Sequence, residues 1–173
     1  MFSPIQMQGI IRYGNRLRIK DEDLAQHSYS VAYYCFEIAR KYSIPDDIRN
    51  EAIAMAIIHD IGEVFTSDLP HDVKYENPEL KELCDKLEDK YIQKELPEVY
   101  NLWQKAESKD KKSISSVMVK IADSMSVRDY CQREIILGNN THEIMEILEN
   151  ANERIKSQEI KLEKELNWYG ERY

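Results

Sequence analysis

The chain has 173 residues and a mass of 20.5 kDa, enough for one compact domain over 1–173 and too short for two ordinary domains with a linker. Apolar residues make up 42% and charged residues 32%, with 5 Gly and 5 Pro, which excludes collagen-like, low-complexity and disordered classes and favours packed amphipathic helices. The net charge of −8 speaks against broad docking on DNA, RNA or anionic lipid, yet leaves room for a small phosphorylated ligand held by a few local cations.

After an apolar opening that ends near Tyr13, the segment Gly14 to Asp23 is charged and lacks periodicity. Asp23 and Gln26 form a capping-box pattern, so a helix is predicted from Leu24, with Leu24, Val31, Cys35, Ile38 and Tyr42 as its apolar stripe. Ser43-Ile44-Pro45 stops it. A core helix is predicted from about Asp46 to Ile61, with Gly62 as its C-terminal cap. Glu63 to Glu76 reads as a structured loop with a short helical turn. Asn77-Pro78-Glu79 opens a charged helix to about Glu95, whose segment Lys81 to Lys94 reads as a solvent face. A short helix around Trp103, a break at Ser108 to Lys112, a long helix from about Ser113 to Leu137 and a turn at Gly138-Asn139-Asn140 follow. Asn140 and Glu143 fit a capping pattern for a last helix towards Trp168. The expectation is an all-α bundle of six or so helices.

The longest apolar run, Ala52 to Ile58, is too short to span a bilayer, and Met1-Phe2-Ser3-Pro4 lacks a basic segment followed by a hydrophobic one. Cys35, Cys84 and Cys131 form no C-x-x-C pair, and their odd number fits reduced thiols packed in the core of a cytoplasmic protein.

Histidines and carboxylates on three predicted helices lie on faces that should be buried, where they are costly unless compensated. His27 shares a face with Val31, Tyr34 and Ile38; His59 shares one with Ala52, Met55 and Ala56, and Asp60 follows it; Asp123 sits between Val119 and Val127. Singly, each has a structural explanation: a hydrogen-bonded core histidine, a chance His-Asp pair, or an aspartate paired with Lys120 or Arg128. Together, two imidazoles and two carboxylates from three helices can converge on a divalent ion with positions left open to solvent.

Gln26-His27-Ser28, then His59-Asp60 with Glu63 one turn later, then Ala122-Asp123 resemble the H…HD…D arrangement of the HD-domain metal-dependent phosphohydrolases. The stretch from His59 to Pro70, continuing to Val73-Lys74-Tyr75, and Ile11-Arg12-Tyr13 before it, resemble the YfbR-like 5′-deoxynucleotidases over roughly residues 9–140. The resemblance implies that His27, His59, Asp60 and Asp123 hold one divalent transition metal ion of the Co, Mn or Zn type. Glu63 would be the acid-base or water-orienting carboxylate and Asp68 would lie near the attacking water or the sugar. Arg12 would contact the phosphate, Thr66 would line the substrate site, Pro70 would shape the sugar pocket and Lys74 would stand close by. Two departures bear on selectivity: Gln26 where the family pattern has Glu, and Tyr13 where it has Trp, which keeps an aromatic platform of different size.

The implied reaction is hydrolysis of nucleoside 5′-monophosphates, deoxy forms among them, to nucleoside and inorganic phosphate, by a cytoplasmic homodimer. Two alternatives stand beside it. One is a deoxynucleoside triphosphate triphosphohydrolase releasing tripolyphosphate, for which Arg16, Arg18 and Lys20 could form a guiding rim. The other is an inactive nucleotide-binding regulator, against which the four intact ligand positions argue. His71 reads as a surface residue or proton carrier, His142 as exposed, and Trp103 and Trp168 as packing or interface residues.

Overall fold

The computed structural model describes residues 2–107 and 113–170; at 71, 72, 75, 107, 169 and 170 only the backbone is described. The break predicted over Ser108 to Lys112 and the side chain of His71 therefore lie outside the described set. In chain order the helices are α1 (Ile5–Gln8), α2 (Leu24–Lys41), α3 (Asp46–Ile58), α4 (Glu63–Thr66), α5 (His71–Glu76), α6 (Pro78–Glu95), α7 (Tyr100–Glu107), α8 (Ile114–Ile136) and α9 (His142–Gly170). Among the described residues there is no strand, only an isolated antiparallel bridge between Ile11 and Asp23. The chain is all-α, as its periodicity predicts.

Helix α2 starts where its side chains make it start. Asp23 accepts a hydrogen bond from the Gln26 backbone N–H at 2.8 Å, and the Gln26 side chain accepts one from the Asp23 N–H, satisfying two otherwise orphaned donors. It ends at Lys41, after which Ser43 takes φ +52° and the Ile44 N–H returns to the Ala39 carbonyl at 2.9 Å. Between these ends α2 buries Leu24, His27, Val31, Cys35 and Ile38 on one face.

Helix α8 packs against α9, α2 and α3, and α2 packs on α3. Their shared core contains Val31, Cys35, Met55, Ala56, Val117, Met118, Ile121, Ala122, Ile155 and Leu162. A second cluster joins Met7, Leu24, Ile58, Ile61, Ile92 and Trp103. Each fully buried aliphatic side chain contributes about 1.5–3 kcal/mol relative to exposure. Both clusters draw residues from α2 and from the end of α3. His27 falls between Leu24 and Val31, and His59 directly after Ile58, so the imidazoles are held from both sides.

Three boundaries differ from the sequence expectation. Helix α3 stops at Ile58, and the backbone tightens there into short-range bonds, with the Ile61 N–H on the Ile58 carbonyl and the Glu63 N–H on the Asp60 carbonyl. Gly62 is not a left-handed cap but has φ −60° and leads into α4. The cap of α9 is Thr141 rather than Asn140, its hydroxyl accepting from the Ile144 N–H at 3.4 Å. The turn before α9 does need its glycine, because Gly138 has φ +105°.

The charged helix α6 is not solvated all round. Cys84, Glu88 and Ile92 recur every four residues and are buried. The three cysteines are unpaired and buried, and His142 is exposed, as expected.

Candidate active site

Two buried imidazoles meet where α2, the end of α3 and α8 converge. The rings of His27 and His59 are 5.3 Å apart. His27 Nδ1 lies 3.1 Å from Ser126 Oγ, and His59 Nδ1 lies 2.8 Å from the Ala56 carbonyl, which fixes that ring's proton on Nδ1. Each ring thus turns Nε2 towards the carboxylates. Hydrogen bonding of one ring nitrogen to orient the other is how proteins prepare histidines as metal ligands.

His59 Nε2 is 3.1 Å from Asp60 Oδ2; His27 Nε2 is 3.2 Å from Asp123 Oδ1 and 3.5 Å from Asp60 Oδ2. Yet neither Nε2 makes an aligned hydrogen bond among the described residues. Close approach without alignment is what atoms directed at a common point show. Ligands about 2.1 Å from one ion stand about 3.0–3.4 Å from each other in octahedral or tetrahedral arrangements; two of the three separations fall in that range and the third, 3.5 Å, lies just above it. The ligand atoms of His27, His59 and Asp60 all lie within 4.8 Å of one another. Asp123, reached through His27, is half-exposed and leaves the cluster open to solvent.

The electrostatics carry the same message. Burial, helped by the nearby Arg12 charge, pushes His27 down to about 4 against the pull of Asp123 and Asp60, so it stays neutral. Burial would lower His59 too, but the Asp60 charge outweighs it and raises that imidazole to about 9. The carboxylates thus draw positive charge to the place where both Nε2 atoms point. This donor set, two neutral-capable imidazoles and two carboxylates, fits a divalent transition ion.

Arg12 is buried, with Nη1 3.2 Å from Asp60 Oδ2 and Nε 3.7 Å from Glu22 Oε2. Burial works against its charge, but Tyr13, Asp60, Asp68 and Glu63 hold its pKa well above the ordinary value. Glu63 keeps a buried Oε2 with no hydrogen-bond partner among the described residues. Burial first, then the charges of Asp60 and Asp68, raise its pKa well above the usual carboxyl value. Asp68 accepts a hydrogen bond from the Tyr13 N–H at 3.2 Å.

Both residues flanking that last contact are strained. Tyr13 has φ +57° and Ser67 has φ +67°, conformations that cost side-chain-bearing residues about 1–3 kcal/mol. The hydrogen bond ties Asp68 to the Arg12–Tyr13 segment across these two turns. The Tyr13 ring stacks on Tyr130 of α8 at 4.3 Å, so the expected platform is packed against the bundle on one face.

Thr66 and Lys74 meet on a residue absent from the sequence reading: Thr66 donates to Glu88 Oε1 at 2.7 Å and Lys74 Nζ lies 3.6 Å from the same atom. Pro70 stands at the N-terminus of α5, four residues before Lys74. In the basic cluster, Arg16 pairs with Glu143, and Arg18 with Asp21 and the carbonyls of Tyr13 and Gly14. Of the two partners considered for Asp123, Arg128 binds Asp129 instead. Ser126 and Glu22 were also missed. Ser126 had a signal, lying one turn after Asp123 on the same face.

The sequence model of the family described as 5′-deoxynucleotidase YfbR-like matches residues 3–169. A 5′-deoxynucleotidase of Vibrio atlanticus (strain LGP32) is 29% identical over 168 residues, covering 90% of this chain and 84% of that protein. The 5′-deoxynucleotidase VV1113 of Vibrio vulnificus (strain YJ016) is 30% identical over 143 residues, covering 78% and 74%. Among solved structures, the PH0347 protein of Pyrococcus horikoshii OT3 has a TM-score of 0.75 at 26% identity, covering 94% of this chain and 89% of its own. The HD phosphohydrolase DatZ of cyanophage S-2L, bound to dA and one catalytic Zn2+ ion, shares the fold with a TM-score of 0.73 at 20% identity, over 98% and 92% of the two chains. With this match running almost end to end, the chain belongs to the YfbR-like 5′-deoxynucleotidase family, hydrolases that act on phosphoric esters of nucleotides.

Proposed function

We propose that the protein hydrolyses deoxynucleoside 5′-monophosphates to nucleoside and orthophosphate, with a single divalent transition ion held by His27, His59, Asp60 and Asp123. The observation that carries this reading is the pair of buried, unpartnered Nε2 atoms facing two carboxylates, with a buried arginine against the same cluster. When bound, such an ion supplies Lewis acidity, lowering the pKa of a coordinated water towards neutrality and offsetting charge on the phosphoryl oxygens.

The chain's own groups supply the rest. Arg12 keeps its charge at any working pH and has an Nε–H without a hydrogen bond among the described residues, so it can bind phosphoryl oxygens and steady the charge that grows on them during in-line displacement. Glu63, whose pKa is raised by burial and by the charges of Asp60 and Asp68, can carry a proton on Oε2 and deliver it to the departing 5′ oxygen. Asp68, whose carboxylate accepts from the Tyr13 N–H, would meet a hydroxyl of the sugar or the attacking water, with Thr66, Pro70 and Lys74 lining the substrate site. Commitment of Arg16 and Arg18 to internal partners supports the monophosphate over a longer phosphate tail.

We further infer a cytoplasmic homodimer. The unpaired thiols support the location; the exposed Tyr29, Tyr33 and Phe36, aligned on one face of α2, support the assembly. Among the described residues no helix is long and apolar enough to cross a membrane.

The test is a screen of nucleoside mono- and triphosphates with Mn, Co, Zn and Mg, with products resolved by ion chromatography and the mass measured in solution. Metal-dependent release of orthophosphate from deoxynucleoside monophosphates is expected. Tripolyphosphate release, or no turnover with any metal, overturns the reading.

A further inference from the structure

Helix α6 carries one buried carboxylate in a run of solvated charge. Glu88 is 6% exposed, whereas Glu82 and Lys86 on the same helix pair with each other at the surface. A buried carboxylate persists only where hydrogen bonds and charge compensate it. Among the described residues, its polar partners come from the segment bordering the active site. Thr66 donates its hydroxyl proton to Oε1 at 2.7 Å, and the Lys74 ammonium lies 3.6 Å from that oxygen.

The backbone opposite has been shaped to admit it. A Cβ added to Gly62 would stand 2.9 Å from Glu88 Oε2 and from its Cγ, and 3.0 Å from its Cβ. Any side chain at 62 would therefore expel the carboxylate. Since φ at Gly62 is −60°, a conformation open to every residue, the glycine serves this approach and not the backbone. Gly62 directly precedes Glu63, whose turn also holds Thr66, so Glu88 braces the single-turn helix α4 at both ends.

We propose that Glu88 is a positioning residue for the reaction, acting through Thr66, Lys74 and the Gly62–Glu63 backbone; this deepens the proposed function and rests on it. The hydrogen bond has a directional consequence. With its proton spent on Glu88, Thr66 Oγ1 presents only lone pairs to the site, so it must accept from a substrate donor, the chemistry of a sugar hydroxyl. Lys74, tethered by its charge, is kept beside the same oxygen. Glu88 thereby sets the polarity of the sugar side of the site without touching the substrate.

The test compares wild type, Glu88→Gln, Glu88→Ala, Thr66→Val and the double variant Thr66→Val/Glu88→Ala on a deoxynucleoside 5′-monophosphate and on an aryl phosphate that lacks the sugar. Wild-type turnover on the nucleotide reads the proposed function by itself; a wild type that releases phosphate lets the variants read this inference separately. Glu88→Ala is expected to lose about 10- to 100-fold in kcat/KM on the nucleotide, mostly through KM, with a much smaller loss on the aryl phosphate and with metal content and melting temperature near wild type. Glu88→Gln, whose amide carbonyl still accepts from Thr66, should recover most of that loss. The double variant should lose less than the product of the two single losses, since both changes remove the same Thr66–Glu88 bond. Equal losses on the two substrates, additive effects in the double variant, or nucleotide kinetics of Glu88→Ala indistinguishable from wild type would each overturn the proposal. Should Glu88→Ala fail to fold, Glu88→Gln and Thr66→Val carry the same comparison between substrates.

Discussion

Helix α8 carries two carboxylates that the fold treats in opposite ways. Eleven residues separate Asp123 from Glu134, about 16 Å along the axis. Glu134 is fully buried and fully engaged: Oε2 accepts from the Ile19 N–H at 2.7 Å and from Asn139 Nδ2 at 2.8 Å, and Oε1 accepts from the Lys20 N–H at 2.8 Å. Asn139 also donates to the Leu17 carbonyl at 2.9 Å. This knot ties the charged loop after Tyr13 to the bundle. At the other site, the Nε2 atoms of His27 and His59 and Glu63 Oε2 are buried with no hydrogen-bond partner among the described residues. One cluster is closed and structural. The other is held open at a cost in stability, as a site awaiting ligands must be.

Removing an open-site carboxylate should therefore destroy activity and spare the fold. Asp123→Ala is expected to lose bound metal and at least about three orders of magnitude in turnover together. Its melting temperature without metal should equal or exceed that of wild type. Saturating metal at about 100 Kd should stabilise wild type by about 2.7 kcal/mol and leave the variant unmoved. Metal analysis, phosphate release and thermal melts check all three; full metal retention with lost turnover would remove Asp123 from the ligand set.

The closed cluster should respond in reverse. Glu134→Ala strands three donors and is expected to cost about 3 kcal/mol, a fall of roughly 6–12 °C in melting temperature for a domain of this size. Activity per folded, metal-loaded molecule should change far less than in Asp123→Ala. A loss of turnover equal to that of Asp123→Ala without loss of stability would break the distinction between the clusters. Ser126→Ala lies between the two classes: it removes the partner of His27 Nδ1 and should weaken metal affinity about 10-fold while leaving stability nearly unchanged, as read by competition with a chelator.

The two clusters also differ in how far they could be read without coordinates. His27, His59 and Asp60 are visible because such residues are expensive on apolar helix faces, and the capping box at Asp23 and Gln26 fixes where the first of those faces begins. Glu134 gave no such signal, since two of its partners are backbone N–H groups more than 110 residues away in sequence, and backbone donors carry no residue identity. Glu88 was hidden differently. Its neighbours make α6 look solvated throughout, although the stripe Cys84, Glu88, Ile92 marks a buried edge. Gly62 was misread because a glycine after a helix suggests a left-handed cap, whereas the need here is space for a side chain from another helix. Local preference is written in neighbouring residues; close approach between distant elements is not.

Acid separates the clusters more finely. Burial would raise the Glu134 carboxyl, but the hydrogen bonds from Asn139, Ile19 and Lys20 and the charge of Arg133 outweigh it and hold its pKa below the ordinary glutamate value. A carboxyl depressed in the folded state binds its proton more readily when unfolded. Its stabilising contribution is thus complete above the ordinary glutamate pKa and is lost as the pH falls towards the folded value. In Glu134→Gln this dependence is absent, because the amide does not titrate. The gap in unfolding free energy between wild type and Glu134→Gln should accordingly be constant from neutrality to about pH 5.5 and narrow below about pH 4.5. Urea titrations at fixed pH on metal-free protein measure that gap, and a gap that widened in acid would mean that Glu134 is protonated in its knot, with the hydrogen bonds serving the neutral carboxyl instead of the charged one.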